Sequence, residues 1–312
     1  MKEKIEFKDK FIERYEKLTN IEEFKKISLE YLRRSIRINT LKISVSELKK
    51  RIEKEWKLTP VPWCKEGFWI DHKGKGEDYR RDVGNLHEHQ LGYFYIQEAA
   101  SMIPPVVLNP KPGETVLDMC ASPGSKTTQI AQYMNNEGVL VTNDIKIDRI
   151  KPLGLNLQRM GVTNNIITMM EGRWFKDLKF DKILVDAPCS GTGTIRKSLK
   201  TLRIWNANMV KRISGIQKQL IETGFNNLKT GGTLVYSTCT LEPEEDEGVI
   251  NHLLSKYDNA KIQKIELKNI KKSNPVTEFN GIKFNPEVKK CLRIWPQDND
   301  TEGFFVTKIK KV

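Results

Sequence analysis

An α/β fold built on a mostly parallel sheet, preceded by a smaller N-terminal α+β domain, is what this 312-residue sequence predicts. Three observations carry the prediction. Beyond about residue 92, short Val/Ile/Leu runs alternate with helix-period stretches at intervals of roughly 20 to 35 residues, the rhythm of βαβ units. Several of those apolar runs end in small, polar or turn residues, and it is at the carboxyl ends of such strands that open α/β sheets bind ligands. Residues 1–92 differ: helical patterns precede short aromatic runs near Trp56, Trp63 and Trp69. The chain is therefore divided into 1–92 and 93–312.

Strands are expected at 115–119, 138–143, 165–170, 181–186 and 232–237. The intervening 125–134, 147–160 and 208–228 carry helical spacing, and in the last Met209, Ile213, Ile216, Leu220 and Phe225 define the face expected to be buried. Residues 292–295 and 304–309, joined by the turn-rich 296–300, read as a closing hairpin. In the first domain, helices over 7–18, 21–34 and 44–55 surround the apolar stretch 35–41, and the Gly/Lys/Asp-rich 73–78 reads as a surface loop.

Composition narrows the function. Lys and Arg number 53 against 40 Asp and Glu, a net charge of +13 that favours polyanions through phosphate contacts. A general preference for charged surface residues, here 30% of the chain, accounts for the same excess equally well. The five cysteines include no Cys-x-x-Cys pair and only four His accompany them, so neither a disulfide framework nor a metal site is expected. No apolar run is long enough to span a bilayer and residues 1–20 lack a secretory pattern, so a cytoplasmic protein without membrane partners is expected.

Four strand ends carry chemistry. Asp118-Met119-Cys120-Ala121-Ser122-Pro123-Gly124-Ser125-Lys126 is a strand, a small-residue turn and a helix start, the way nucleotide-type cofactors are held. It lacks both the dinucleotide Gly-x-Gly-x-x-Gly and the full P-loop spacing, which argues against a triphosphate. Asp144 closes the second strand, where α/β nucleoside binders place a carboxylate on the ribose; its structural alternative is a cap for 147–160. Asp186-Ala187-Pro188-Cys189 and Ser237-Thr238-Cys239-Thr240 end two further strands, so both thiols can share a pocket, although a lone strand-end Cys is usually inert packing. The acidic 242–247 reads as a Pro-started helix N-terminus whose carboxylates face the dipole.

These motifs together resemble the RNA cytosine-5 methyltransferases of the Nol1/Nop2/Sun family. Arg37-Ile38-Asn39-Thr40-Leu41, Tyr95-Ile96-Gln97-Glu98-Ala99-Ala100-Ser101-Met102 and Asp300-Thr301-Glu302-Gly303-Phe304-Phe305 extend the match from residue 36 onward. The resemblance implies a Rossmann-like class I methyltransferase sheet behind a small N-terminal RNA-binding domain. It also implies S-adenosyl-L-methionine held by Cys120, Ala121, Ser122, Pro123, Gly124, Ser125 and Lys126, with Asp144 on the ribose and Arg149 and Asp186 completing the pocket. Glu171 stands where the family often carries an Asp beside the adenine. By the same resemblance Cys239 is the nucleophile, Cys189 assists release of the methylated RNA, and Asp186 hydrogen-bonds the base. The short archaeal members, which this chain resembles, usually act on tRNA; rRNA is the nearest alternative.

The residue types suit that chemistry, because carbon 5 of cytosine is a weak nucleophile until a thiolate adds at carbon 6. A free thiol titrates near roughly 8.5, so the site should supply positive charge, and Lys126 is the nearest motif cation. Arg196, Lys197, Lys200 and Arg203 could contact phosphates and Trp205 could stack a base, or the stretch is an ordinary solvated face; Arg33, Arg34 and Arg37 pose the same choice. Two other classes fit less well: an amino-directed methyltransferase, which needs no essential cysteine, and a non-catalytic RNA-binding factor on the same fold. Cys64 and Cys291 receive no role.

Overall fold

The computed structural model describes residues 7–312. In the N-terminal domain β1 (Ser35–Ile38), β2 (Trp56–Pro60), β3 (Gly67–His72) and β4 (Phe94–Ile96) form an antiparallel sheet in the order β2-β3-β1-β4. Its fourth strand lies beyond residue 92, because β4 pairs with β1 through Ile36 and Ile96. Ile36, Ile38, Trp56, Phe68 and Phe94 bury one core against Leu48 and Ile52 of α3 (Val45–Ile52). That helix starts where the Ser44 hydroxyl accepts the Glu47 N–H at 3.2 Å, an N-cap made by a residue type suited to it. Residues 73–78 are a surface turn, as expected.

The first two helices, α1 (Asp9–Tyr15) and α2 (Ile21–Leu29), do not join that core. Phe11, Tyr15 and Phe24 cluster with Ile195, Trp205, Leu241 and Trp295 of the larger domain. The α2 helix ends five residues short of the expected 34, and extended chain leads from it into β1.

The large sheet has β5 (Thr115–Asp118), β6 (Val139–Asp144), β7 (Asn165–Met169), β8 (Phe180–Asp186) and β9 (Leu228–Thr238) as parallel neighbours in the order β9-β8-β5-β6-β7. The chain therefore winds outward from β5 through β6 and β7, then restarts on the other side at β8. Ligands bind at the carboxyl ends beside such a reversal. Beyond a hairpin of β11 (Glu278–Phe279) and β12 (Ile282–Lys283), β13 (Leu292–Ile294) and β14 (Phe304–Lys311) pair antiparallel, which makes the expected closing hairpin. The last strand also lies antiparallel to β9 and to β10 (Ala260–Gln263), closing the sheet edge.

Alternate residues of the strands face opposite layers. Val116, Leu184 and Val235 pack with Ile103 and Leu108 of α5 (Ile103–Leu108), Ile130 of α6 (Ser125–Tyr133) and Leu153 of α7 (Ile147–Met160). Leu117, Ile183, Val185 and Leu234 face α9 (Ala207–Asn226) and α10 (Glu247–Lys256). The short α4 (His87–Gln90), α8 (Lys200–Ile204) and α11 (Pro296–Asn299) fill connections.

The buried face of α9 differs from the expected one. It runs through Val210, Ser214, Gln217, Leu220, Ile221, Gly224 and Phe225, while Met209 and Ile213 are half-buried and Ile216 is 39% exposed. The rotation has two causes. Gly224 lets the helix close on the sheet, where a Cβ would lie 3.0 Å from Leu234 and 3.1 Å from Val185. Gln217, a polar residue inside the stripe, is held there by its amide nitrogen, which donates to the Pro188 carbonyl and to Glu245, both at 2.9 Å. Apolar spacing could not register either.

Candidate active site at the carboxyl edge of the sheet

The carboxyl ends of β5, β6, β8 and β9 surround a cavity of about 470 Å³ lined by Cys120, Ser122, Asp144, Asp186, Cys189 and Cys239, among others. The volume is in the range of small-molecule sites, and Met119, Met170, Ile216 and Leu220 give it apolar wall. The exposure of Ile216 on α9 is therefore exposure to this cavity.

At one side, Asp144 organises the turn after β5. Its Oδ2 accepts the Ser122 N–H at 3.0 Å, and its Oδ1 accepts the Ile145 N–H at 2.8 Å and Arg149 Nε at 2.7 Å. It does not cap α7, whose N-cap residue is Lys146. Cys120, Ser122 and Arg149 line the cavity; Ala121 is buried, and Pro123, Gly124 and Ser125 shape the turn without lining it. The Pro123 carbonyl accepts Asn156 Nδ2 at 2.9 Å, and the Ser125 carbonyl accepts Arg37 at 2.8 Å. Glu171 lines the far wall and pairs with Arg173 at 2.5 Å.

Sequence reasoning missed two positioning residues here. The Asn143 amide spans three strands, donating to the Met119 and Met170 carbonyls at 3.1 and 2.9 Å and accepting the Met170 N–H at 3.1 Å. Thr127 donates to Asp118 Oδ2 at 2.8 Å, leaving Oδ1 buried and without a partner among the described residues. The adjacency of Asn143 to Asp144 was the one available signal.

At the other side, Lys126 Nζ lies 2.8 Å from Asp186 Oδ2, and the Ser237 hydroxyl donates to Asp186 Oδ1 at 2.7 Å. Burial works against the Lys126 ammonium, but the Asp186 carboxylate outweighs it and the group is held above its ordinary value. The Cys189 and Cys239 sulfurs are 3.4 Å apart. The hydrogen bond to Cys239, then burial, pushes the Cys189 thiol well up.

The two cysteine loops are laced together. The Gly193 N–H donates to the Cys239 carbonyl at 3.0 Å, and the Gly303 N–H donates to the Gly193 carbonyl at 2.9 Å. A Cβ on Gly193 would sit 2.3 Å from the Gly303 oxygen, so only glycine fits. The Ser190 N–H donates to Glu245 at 2.9 Å, and Ser190 and Thr192 share the Thr240 hydroxyl at 2.7 and 3.0 Å.

The acidic run after Cys239 is not the Pro-started helix N-terminus expected. Glu242, Glu245, Asp246 and Glu247 are all fully buried, and α10 begins only at Glu247. Glu242 accepts from Tyr15 and Trp205 at 2.9 and 2.7 Å and pairs with Arg14 at 2.7 Å. Trp205, 4% exposed, therefore cannot stack a base. Two candidate RNA contacts fail for the same reason: the Arg196 side chain is 1% exposed and pairs with Asp300, and Arg37 is fully buried, donating to Gln97 and Thr128. Lys197 and Lys200 are exposed.

Burial also displaces several carboxyls: Asp118 and Glu245 rise to about 7, and Glu98, with Glu302 beside it, to about 8. Each binds its proton more tightly folded than unfolded, so this stabilisation is complete below the unfolded value near ~4 and is lost as pH rises through the folded one. Urea midpoints are expected to fall between about pH 5 and 8. The fall should be shallower in Glu245→Gln; an unchanged slope would show that Glu245 does not contribute.

Among the described residues no cluster of metal-ligating side chains is found and no helix is long and apolar enough to cross a membrane.

Comparison with known proteins agrees with this architecture. A family model described as 16S rRNA methyltransferase RsmB/F matches residues 105–310, and one for the N-terminal domain of 16S rRNA methyltransferase RsmF matches residues 7–99. The chain is 50% identical over 305 residues to a tRNA (cytosine(49)-C(5))-methyltransferase of Pyrococcus abyssi, covering 97% of this chain and 96% of that protein. It is 44% identical over 298 residues to the ribosomal RNA small subunit methyltransferase F of Shewanella oneidensis, covering 94% of this chain but only 60% of that longer protein. Among solved structures, a methyltransferase homolog from Pyrococcus horikoshii superposes with a TM-score of 0.86 at 38% identity, over 99% of this chain and 96% of that one. NSun6 from the same organism, solved with SFG, gives 0.83 at 25% identity over 98% of each. With its cofactor-type turn, its paired thiols and these matches over nearly its whole length, the chain belongs to the RsmB/F (Nop2/Sun) family of methyltransferases.

Proposed function

We propose that this protein transfers a methyl group from S-adenosyl-L-methionine to carbon 5 of a cytosine in RNA, with Cys239 as nucleophile and tRNA as the substrate. The observation that carries the reading is the pair of thiols 3.4 Å apart, in the same cavity as Asp144 and beside the Lys126–Asp186 pair. The cavity's fit to the cofactor rests on its volume, its apolar wall and Asp144 at the end of β6, the position for ribose hydroxyls. The relative solved with SFG, an analogue of that cofactor, supports the same use of the fold. The bound cofactor would supply an electrophilic methyl group.

The chain's own residues supply the rest. The Lys126 ammonium, held charged chiefly by Asp186, supplies positive charge near the Cys239 sulfur, the setting a thiol nucleophile requires. That sulfur forms a bond to carbon 6 of the flipped cytosine, which makes carbon 5 nucleophilic enough to form its bond to the methyl carbon. Asp186, fixed by Lys126 and Ser237, is oriented to hydrogen-bond the base and stabilise the proton gained at nitrogen 3. A base takes the carbon 5 proton, the electrons re-form the 5,6 double bond as the carbon–sulfur bond breaks and returns the Cys239 thiolate, and nitrogen 3 gives up the proton it gained. Cys189, whose thiol stays protonated and touches Cys239, would assist that release by donating a hydrogen bond to the departing sulfur.

Identity favours tRNA over rRNA: the chain is 50% identical to the tRNA enzyme and 44% identical to the ribosomal one. Labelled methyl transfer to unmodified bulk tRNA and to 16S rRNA, followed by nucleoside analysis, tests this. 5-Methylcytidine in tRNA alone is expected; label confined to rRNA transfers the substrate, and label on an exocyclic amine rejects the thiolate route. Cofactor binding without transfer to any RNA would make the protein a binding factor. Cys189→Ala is expected to accumulate a covalent protein–RNA adduct, seen as a band of reduced mobility on denaturing gels; full turnover without that band would remove Cys189 from the release step.

A further inference from the structure

A second cavity, of about 330 Å³, opens on the N-terminal domain, lined by Tyr31, Arg34, Trp69, Tyr79 and Arg81, with Arg33 at its edge towards the active site. We infer that this groove holds an unpaired stretch of the RNA substrate next to the target cytosine, stacking its bases on Tyr31 and Arg81. The inference rests on the reading of the protein as an RNA methyltransferase and adds the surface that delivers the strand.

The groove's surface has the make-up of a single-strand site. Single-stranded RNA is held by basic grooves with aromatic platforms, and bases also stack on guanidinium planes. Here the Arg81 guanidinium lies 4.7 Å from the Tyr31 ring centre and 5.5 Å from that of Tyr79, and Arg33 lies 4.1 Å over Trp69. Tyr31 is 52% exposed, which leaves its ring accessible to a base. The groove's own carboxylate, Asp71, accepts the Tyr79 hydroxyl at 2.7 Å, and Asp82 and Glu55 outside it hold Arg80 at 3.1 and 3.2 Å. Arg34 and Arg81 have no carboxylate at ion-pair distance among the described residues, so phosphates can take their charge. Trp56, 2% exposed, also lines the groove, and its indole N–H has no acceptor among those residues. A cavity of this size admits single nucleotides, not a duplex.

Its position ties it to the chemistry. Arg33 pairs with Asp300 at 2.6 Å, and Arg196 donates to the Tyr31 carbonyl at 2.8 Å and to the Thr301 carbonyl at 3.2 Å. Two residues on, Gly303 hydrogen-bonds Gly193, which hydrogen-bonds Cys239. The groove wall and the nucleophile loop are thus joined by direct hydrogen bonds across the domain boundary.

The test compares wild type with Tyr31→Ala/Arg81→Ala and Tyr31→Phe, using a fluorescent oligouridylate and unmodified tRNA. The double variant is expected to bind the oligonucleotide about tenfold or more weakly, with a shallower salt slope. Its KM for tRNA should rise with kcat at saturation kept, while Tyr31→Phe and the thermal midpoint stay near wild type. Photocrosslinking of wild type to 4-thiouridine-containing tRNA should label peptides of this groove. Affinity of the double variant within twofold of wild type, or crosslinks confined elsewhere, overturns the inference. Groove-dependent RNA binding by a wild-type enzyme that methylates no RNA would leave the groove standing and reject the methyltransferase reading.

Discussion

Cys239→Ala is expected to abolish methyl transfer, lowering the rate by at least about three orders of magnitude, while cofactor binding stays unchanged. The expectation follows from the substrate: without a sulfur on carbon 6, carbon 5 of cytosine is too poor a nucleophile, so the variant loses the step itself and not merely affinity. Cys239 is also placed where a small side chain can be removed cheaply, since it is only partly buried and its backbone carbonyl, not its thiol, holds Gly193. The fold should therefore survive, which makes activity the clean readout. Single-turnover assays with labelled methyl donor measure it, alongside titration of the cofactor by calorimetry. Retention of more than a tenth of wild-type activity would rule out the covalent route and favour amino-directed chemistry.

Arg293→Met is expected to destabilise the protein by about 3–5 kcal/mol, the usual cost of leaving buried charge unpaired. Arg293 is fully buried and contacts Glu247 through Nε at 2.8 Å and Nη2 at 2.6 Å, Asp246 at 3.0 Å and the Leu241 carbonyl at 3.2 Å. Burial, offset by the guanidinium, already pushes Asp246 well up, so removing Arg293 leaves two carboxyls to be protonated or hydrated in the core. Methionine keeps much of the volume, which separates loss of charge from loss of packing. Denaturant unfolding with an unchanged m-value measures the shift; a loss below about 1 kcal/mol would mean that the cluster relaxes around its missing cation. Because Leu241 and Asp246 belong to the loop after Cys239, the same variant should lose activity at temperatures where it is still folded.

That pair of residues also shows where local pattern stops. Cys189, Cys239, Asp186 and Asp144 were legible as site candidates because each ends an apolar strand, and strand ends on one edge of a parallel sheet must converge. The run 242–247 was legible only as the acidic N-terminus of a helix, a local pattern that carries no sign of burial. Its burial depends on Arg293, which lies 46 residues beyond Glu247 in sequence and on another strand. Arg37, Arg196 and Trp205 misled for the mirror reason: charge and aromaticity suggest RNA until the partners that consume them are in view. The face of α9 shifted because a glycine and a glutamine that donates to Pro188 and Glu245, both invisible to apolar periodicity, set its contacts.

The sequence by itself determined the α/β class, the parallel strands and the strand-end motifs, because these follow from side-chain periodicity and from turn chemistry that acts within a few residues. It also carried the ordered motifs that identify the family. Only the tertiary structure decided which charges are solvent-facing and which are spent inside, that α1 and α2 pack on the larger domain, and that an arginine–aromatic groove abuts the cysteine loops. Burial of a polar group is settled by whether a distant partner can reach it, and that distance is a property of the folded chain alone.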